Sequence, residues 1–72
     1  MTDKEIVMSY FIDKAFGGST KHLECVYYFK EMCDSIGTRY YSRKKESFLL
    51  CETEIENEAP FPFSRMVEIA ES

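Results

Sequence analysis

One stripe constrains this chain more than any other feature. Cys25, Tyr28, Phe29, Met32, Cys33 and Ile36 recur at helical spacing, between a capping hydroxyl at Ser19 or Thr20 and a terminating glycine at Gly37. The pattern predicts an amphipathic helix that must bury one face. The chain has only 72 residues, so whatever covers that face comes from one small domain, residues 1–72. A domain of this size buries only about 60% of its unfolded surface, so its core has to be dense. Six Phe and five Tyr supply the large rings that make density achievable.

A second helix is predicted ahead of the stripe. Thr2-Asp3-Lys4-Glu5 has the form of a capping box, in which the Thr2 hydroxyl and the Glu5 carboxylate each satisfy a free backbone N–H of the first turn. Val7, Met8, Phe11, Ile12, Ala15 and Phe16 share one half of the wheel, and Gly17-Gly18 follow where a helix would end. The span is residues 3–16. A strand is the rival there, because Ile6, Met8, Tyr10 and Ile12 also alternate.

Beyond Gly37 the period shifts to two. Residues 38–43 are rich in strand formers, and Leu49, Cys51, Thr53 and Ile55 alternate with Phe48, Leu50 and the acids that follow. Lys44-Lys45-Glu46 between them suits a hairpin loop. Ala59-Pro60-Phe61-Pro62-Phe63 is biased to an extended path. Ser64 is then placed to cap a short last helix over residues 65–71, for which a third strand through Val67 and Ile69 is the alternative. The expected fold is therefore α+β: two N-terminal helices packed on a small antiparallel hairpin sheet, with a short C-terminal helix or third strand.

Three cysteines, Cys25, Cys33 and Cys51, are an odd number at irregular spacing, and free buried thiols in a reducing cytoplasm are the expectation. No apolar run approaches the roughly 20 residues of a membrane span, and the first residues lack the basic and apolar regions of a secretory leader. His22 and Cys25 are too few for a metal site, because Cys33 lies two turns further on. No nucleophile, base and orienting acid can be assembled, and the three Gly form no phosphate loop. No cofactor, metal or enzymatic activity is expected.

Charge is segregated along the chain. The total is −4, yet residues 38–45 carry +4 and residues 46–72 carry −6. Glu52, Glu54, Glu56 and Glu58 in an extended chain would share one face, roughly 6.6 Å apart. Such a row resembles a nucleic-acid backbone in charge and spacing, and could occupy a partner's basic groove. Leu23 and Tyr27, one turn apart on the side of their helix opposite the stripe, could anchor a protein partner or a second copy of the chain. The basic stretch with Arg39, Tyr41, Arg43, Lys44 and Lys45 interleaves cations and rings, as phosphate pairing and base stacking require. Two helices and a hairpin with a basic tip resemble a winged helix-turn-helix. The sequence departs from that pattern in lacking a preceding helix and a basic outer face on the second helix.

The leading expectation is a non-enzymatic protein-binding module, an acidic inhibitor or modulator of a nucleic-acid-binding protein with a basic surface. Small acidic domains of this kind are common among phage and viral accessory proteins. The alternative is a nucleic-acid-binding module working through the basic hairpin.

Overall fold

The structure is a computed structural model and describes residues 1–55 and 59–72. It is all-helical. The order is α1 (Asp3–Phe16), α2 (Thr20–Asp34), α3 (Tyr41–Leu49), a 3-10 turn (Glu52–Glu54) and α4 (Phe63–Glu71). Among the described residues there is no strand, so the expected α+β fold with a hairpin sheet is wrong.

The two N-terminal helices form from the signals that predicted them. Thr2 caps α1 with both halves of the capping box in place: its Oγ1 accepts from the Glu5 N–H at 3.2 Å, and its own N–H donates to Glu5 Oε1 at 3.1 Å. That reciprocal bond holds the Glu5 carboxyl below its usual range. Ser19 caps α2, accepting from the His22 N–H. Gly18 joins the two helices at φ 103° and Gly37 closes the α2 end at φ 84°. Both angles lie in the left-handed region that costs an L side chain about 1–2 kcal/mol.

The missed helix is α3. Its buried and half-buried positions are Tyr41, Lys44, Lys45, Ser47 and Phe48, with Cys51 beyond its end, which is helical spacing. Two of those inward positions are lysines that bury their stems and bring their ammonium groups to acids on other helices. Lys44 pairs with Glu31 at 3.0 Å and Lys45 with Glu71 at 3.1 Å. The inward face therefore looks polar in the sequence, and the apolar residues that remain mimic a period of two. Arg, Lys, Glu and Leu are good helix formers, but an isolated helix of about nine residues does not hold in water. Packing on α2 stabilises it.

α4 is a helix and not a third strand. It begins at Phe63 rather than beyond a Ser64 cap, with the Pro62 carbonyl accepting from the N–H groups of Arg65 and Met66. It buries Met66, Ile69 and Ala70. The four helices share one core of Val7, Phe11, Cys25, Phe29, Met32, Phe48, Cys51, Met66, Ile69 and Ala70. Phe48 is the hub. Its ring stacks on Phe63 at 5.0 Å, meets Phe11 edge-on at 6.2 Å and lies 5.5 Å from Phe29.

The expectation of free thiols also fails in part. Cys25 on α2 and Cys51 after α3 are disulfide-bonded, with Cα atoms 6.0 Å apart. Cys33 is free and half-buried, and burial pushes its thiol pKa up.

Candidate protein interface

The short turn through Gly17 and Gly18 sets the C-terminal end of α1 beside the N-terminal part of α2. Ile12, Ala15, Phe16 and Leu23 line a cleft of about 190 Å³ there. Its large apolar members are solvent-facing: Phe16 is 87% exposed, Leu23 57% and Ile12 39%. Tyr27, one helical turn beyond Leu23, is 59% exposed. Leu23 and Tyr27 thus occupy the outer side of α2 that the sequence predicted. Phe61 and Phe63, the segment that could have covered them, pack against the core instead.

Ile12 and Phe16 were expected in the core with Val7 and Phe11. The core face of α1 is narrower than its apolar half, and Phe16 is the last helical residue before the glycine turn. The four side chains make a continuous apolar ridge. Asp13, one turn before Phe16, and Glu24, one turn before Tyr27, are exposed beside it. Among the described residues neither has an ion-pair partner.

The acidic row does not form as expected. Glu52 and Glu54 lie in the 3-10 turn, where successive side chains step about 120° and alternate residues do not share a face. Glu54 pairs with Lys21 at 3.0 Å. Glu56 and Glu58 lie outside the described residues.

The basic stretch lies on α3 and the turn before it, not on a hairpin, so there is no winged-helix wing. Lys44 and Lys45 are engaged with Glu31 and Glu71. The Arg39 guanidinium lies 5.0 Å over the Tyr40 ring. Arg43 stays exposed. Tyr41 is half-buried and unavailable for stacking a base. Its hydroxyl is enclosed within reach of the Glu71 carboxylate, though not aligned as a good hydrogen bond.

Burial, then the Glu71 carboxylate, push the Tyr41 pKa up to about 12 from 10.0. A raised pKa means that this group's contribution is complete below pH 10 and is lost as pH rises from 10 toward 12. Denaturant titrations should therefore show stability falling through that window, and Tyr41→Phe should flatten the fall. An equal alkaline loss in the variant would assign the effect to other groups.

His22 is buried against Tyr10 and Phe11, with ring centroids 5.9 and 6.1 Å away, and its Nδ1 lies 2.6 Å from the Ser19 Oγ. The ring folds back onto the residue that caps its own helix, which makes it part of the cap. Among the described residues no group of three or more His, Cys, Asp or Glu is placed to hold a metal ion. No helix among them is long and apolar enough to cross a membrane.

What the fold and surface define is a small four-helix domain with one disulfide and an acid-flanked apolar ridge. Compared with family models, with curated proteins and with solved structures, the chain matches none.

Proposed function

We propose that this chain is a non-enzymatic protein-binding module, and that the ridge of Ile12, Phe16, Leu23 and Tyr27 docks an apolar patch with a basic rim on a partner protein. The carrying observation is the exposure of four large apolar side chains, on the C-terminal part of α1 and from the start to the middle of α2, in a domain that has few to spare. Aromatic side chains such as Tyr27 are enriched among the anchors that dominate interface energies, and aromatic residues as a class are enriched at interfaces. Asp13 and Glu24 supply unpaired negative charge beside the anchors, and the net charge of −4 favours approach to a basic surface. Inhibition or modulation of a nucleic-acid-binding protein fits this chemistry. It rests on the ridge and its flanking acids, since Glu52 and Glu54 lie in a 3-10 turn and not on one extended face.

The nucleic-acid alternative has lost its hairpin, and two of its cations are already paired with acids of the same chain. The discriminating experiment compares capture by three versions of the protein, each checked for native helix content. Phe16→Ser with Leu23→Ser should weaken partner binding by about 30-fold or more, as loss of hot-spot anchors does. Arg39→Ala with Arg43→Ala should leave it unchanged. The reverse pattern, or capture abolished by nuclease, would overturn the reading.

A further inference from the structure

We propose that the Cys25–Cys51 disulfide is a redox latch that holds the 3-10 turn Glu52–Glu54 against α2, so that thiol–disulfide state sets whether this face is closed or open. The bond is placed for such a role. Cys51 follows α3 directly and precedes the turn, while Cys25 sits mid-way along α2. Among the described residues, the turn also borders the segment 59–63, with which Glu52 and Ile55 line a shared cleft, and two further attachments hold it. One is the Lys21–Glu54 ion pair, which is solvent-exposed and therefore weak. Another is Ile55, which is only half-buried against the core.

Of the core, only Cys51 borders the turn, and Ile55 at its other end packs against the core from outside. Val7, Phe11, Phe29, Met32, Phe48, Met66, Ile69 and Ala70 all come from the four helices. Opening the disulfide therefore releases the turn without removing a ring from the centre. The two sulfurs also have a route to solvent. Cys25 and Cys51 lie in the floor of a groove of about 200 Å³ whose walls are Lys21, Glu24, Tyr28, Leu50 and Glu54. Both residues are themselves covered, so a thiol reaches them through a transient local opening of the groove wall, and reduction then makes the release of the turn persistent. Release of the turn frees Lys21 from Glu54, which changes the charge of that wall beside Glu24.

The chemistry balances with a small-molecule disulfide, glutathione disulfide, as oxidant. One protein thiolate attacks it, expels one glutathione and leaves a mixed disulfide. The second protein thiolate attacks the protein sulfur of that intermediate, expels the second glutathione and closes the bond. The two protons lost by the protein thiols are taken up by the two expelled glutathione thiolates, and two electrons pass to the oxidant. Two glutathione thiols reverse both steps.

The test is amide hydrogen exchange on the full chain, with circular dichroism alongside, in glutathione buffers poised oxidised and reduced at 15 °C. In the turn, the N–H groups of Cys51, Glu54 and Ile55 donate to the carbonyls of Phe48, Cys51 and Glu52. On reduction these three should exchange at least about tenfold faster, as a locally opened segment does. The core amides of Phe11, Phe29 and Met66 should remain the slowest to exchange, speeding up only as far as the loss of global stability requires, and the helical signal should be unchanged. Cys25→Ala with Cys51→Ala should show fast exchange in the turn in both buffers. Cys33→Ala should respond to the buffers as the parent does.

Turn protection that is the same in both buffers would overturn the latch. So would turn amides that, once the bond is reduced, exchange no faster than the core amides, which would make the bond a structural staple. A redox response that persists in the Cys25, Cys51 double variant would overturn it too.

Discussion

Phe48→Ala is expected to lower the unfolding free energy by about 4 kcal/mol, the middle of the range for removing a buried phenyl ring. The ring is fully buried and touches rings from α1, α2 and the start of α4, with centroids of Phe11, Phe29 and Phe63 between 5.0 and 6.2 Å away. Those neighbours are anchored on separate helices, so the void cannot collapse by moving one side chain. At roughly 0.05–0.15 kcal/mol per residue, the whole domain has only about 4–11 kcal/mol to lose. The variant should therefore be largely unfolded at 37 °C and show a much lower urea midpoint. Leu50→Ala is the matching control. Leu50 leaves the same helix but is 75% exposed, so its loss should cost under about 0.5 kcal/mol. If both substitutions cost the same small amount, the core is not centred on Phe48.

The second large effect concerns the disulfide. Cys25 and Cys51 are 26 residues apart in sequence, and closing a loop of that length removes chain entropy from the unfolded state worth about 3.5 kcal/mol at 25 °C. Cys25→Ala with Cys51→Ala should lower stability by about that amount and the thermal midpoint by roughly 20 °C, given the entropy of unfolding for a domain this small. The native fold should persist in the cold, because the loss arises mainly in the unfolded chain and the helix-borne core stays intact. A change below about 1 kcal/mol would mean that the bond closes no loop the unfolded chain would otherwise explore. The glutathione experiment separates this global effect from the local one, since only the latch predicts turn amides that open at a lower free energy than the core amides once the bond is reduced.

Surface and core stand in contrast. Phe48 concentrates stability at the centre, whereas Phe16, Leu23 and Tyr27 add little to it and remain available to a partner. A domain of this length that leaves so many large apolar side chains in water forgoes burial it could otherwise use. That is the physical ground for reading the ridge as an interface, and for testing Phe16→Ser with Leu23→Ser on binding rather than on folding.

Local signals carried α1, α2 and the outward side of α2 in the amino-acid order itself. Thr2 with Glu5, Ser19, Gly18 and Gly37 act within one turn of their own position, and the stripe Cys25–Phe29–Met32 repeats at a period no other element supplies. Leu23 and Tyr27 follow from the same wheel. The second half of the chain could not be resolved that way. α3 turns two lysines inward because Glu31 and Glu71 wait on other helices, and no pattern confined to residues 41–49 reports where those acids will be. Glu52 and Glu54 escape a local reading in the same way: Cys51 is tied to Cys25 and Glu54 pairs with Lys21, and residues 52–54 form a 3-10 turn rather than a strand. Three cysteines allow three pairings, and only the packing of α3 on α2 brings one pair to a bonding separation. Phe16 likewise joined the ridge, not the core, because the body of the domain ends before the last turn of α1. Short-range hydrogen bonds and helical periodicity are written in neighbouring residues, whereas burial and pairing across the core depend on which distant surfaces meet.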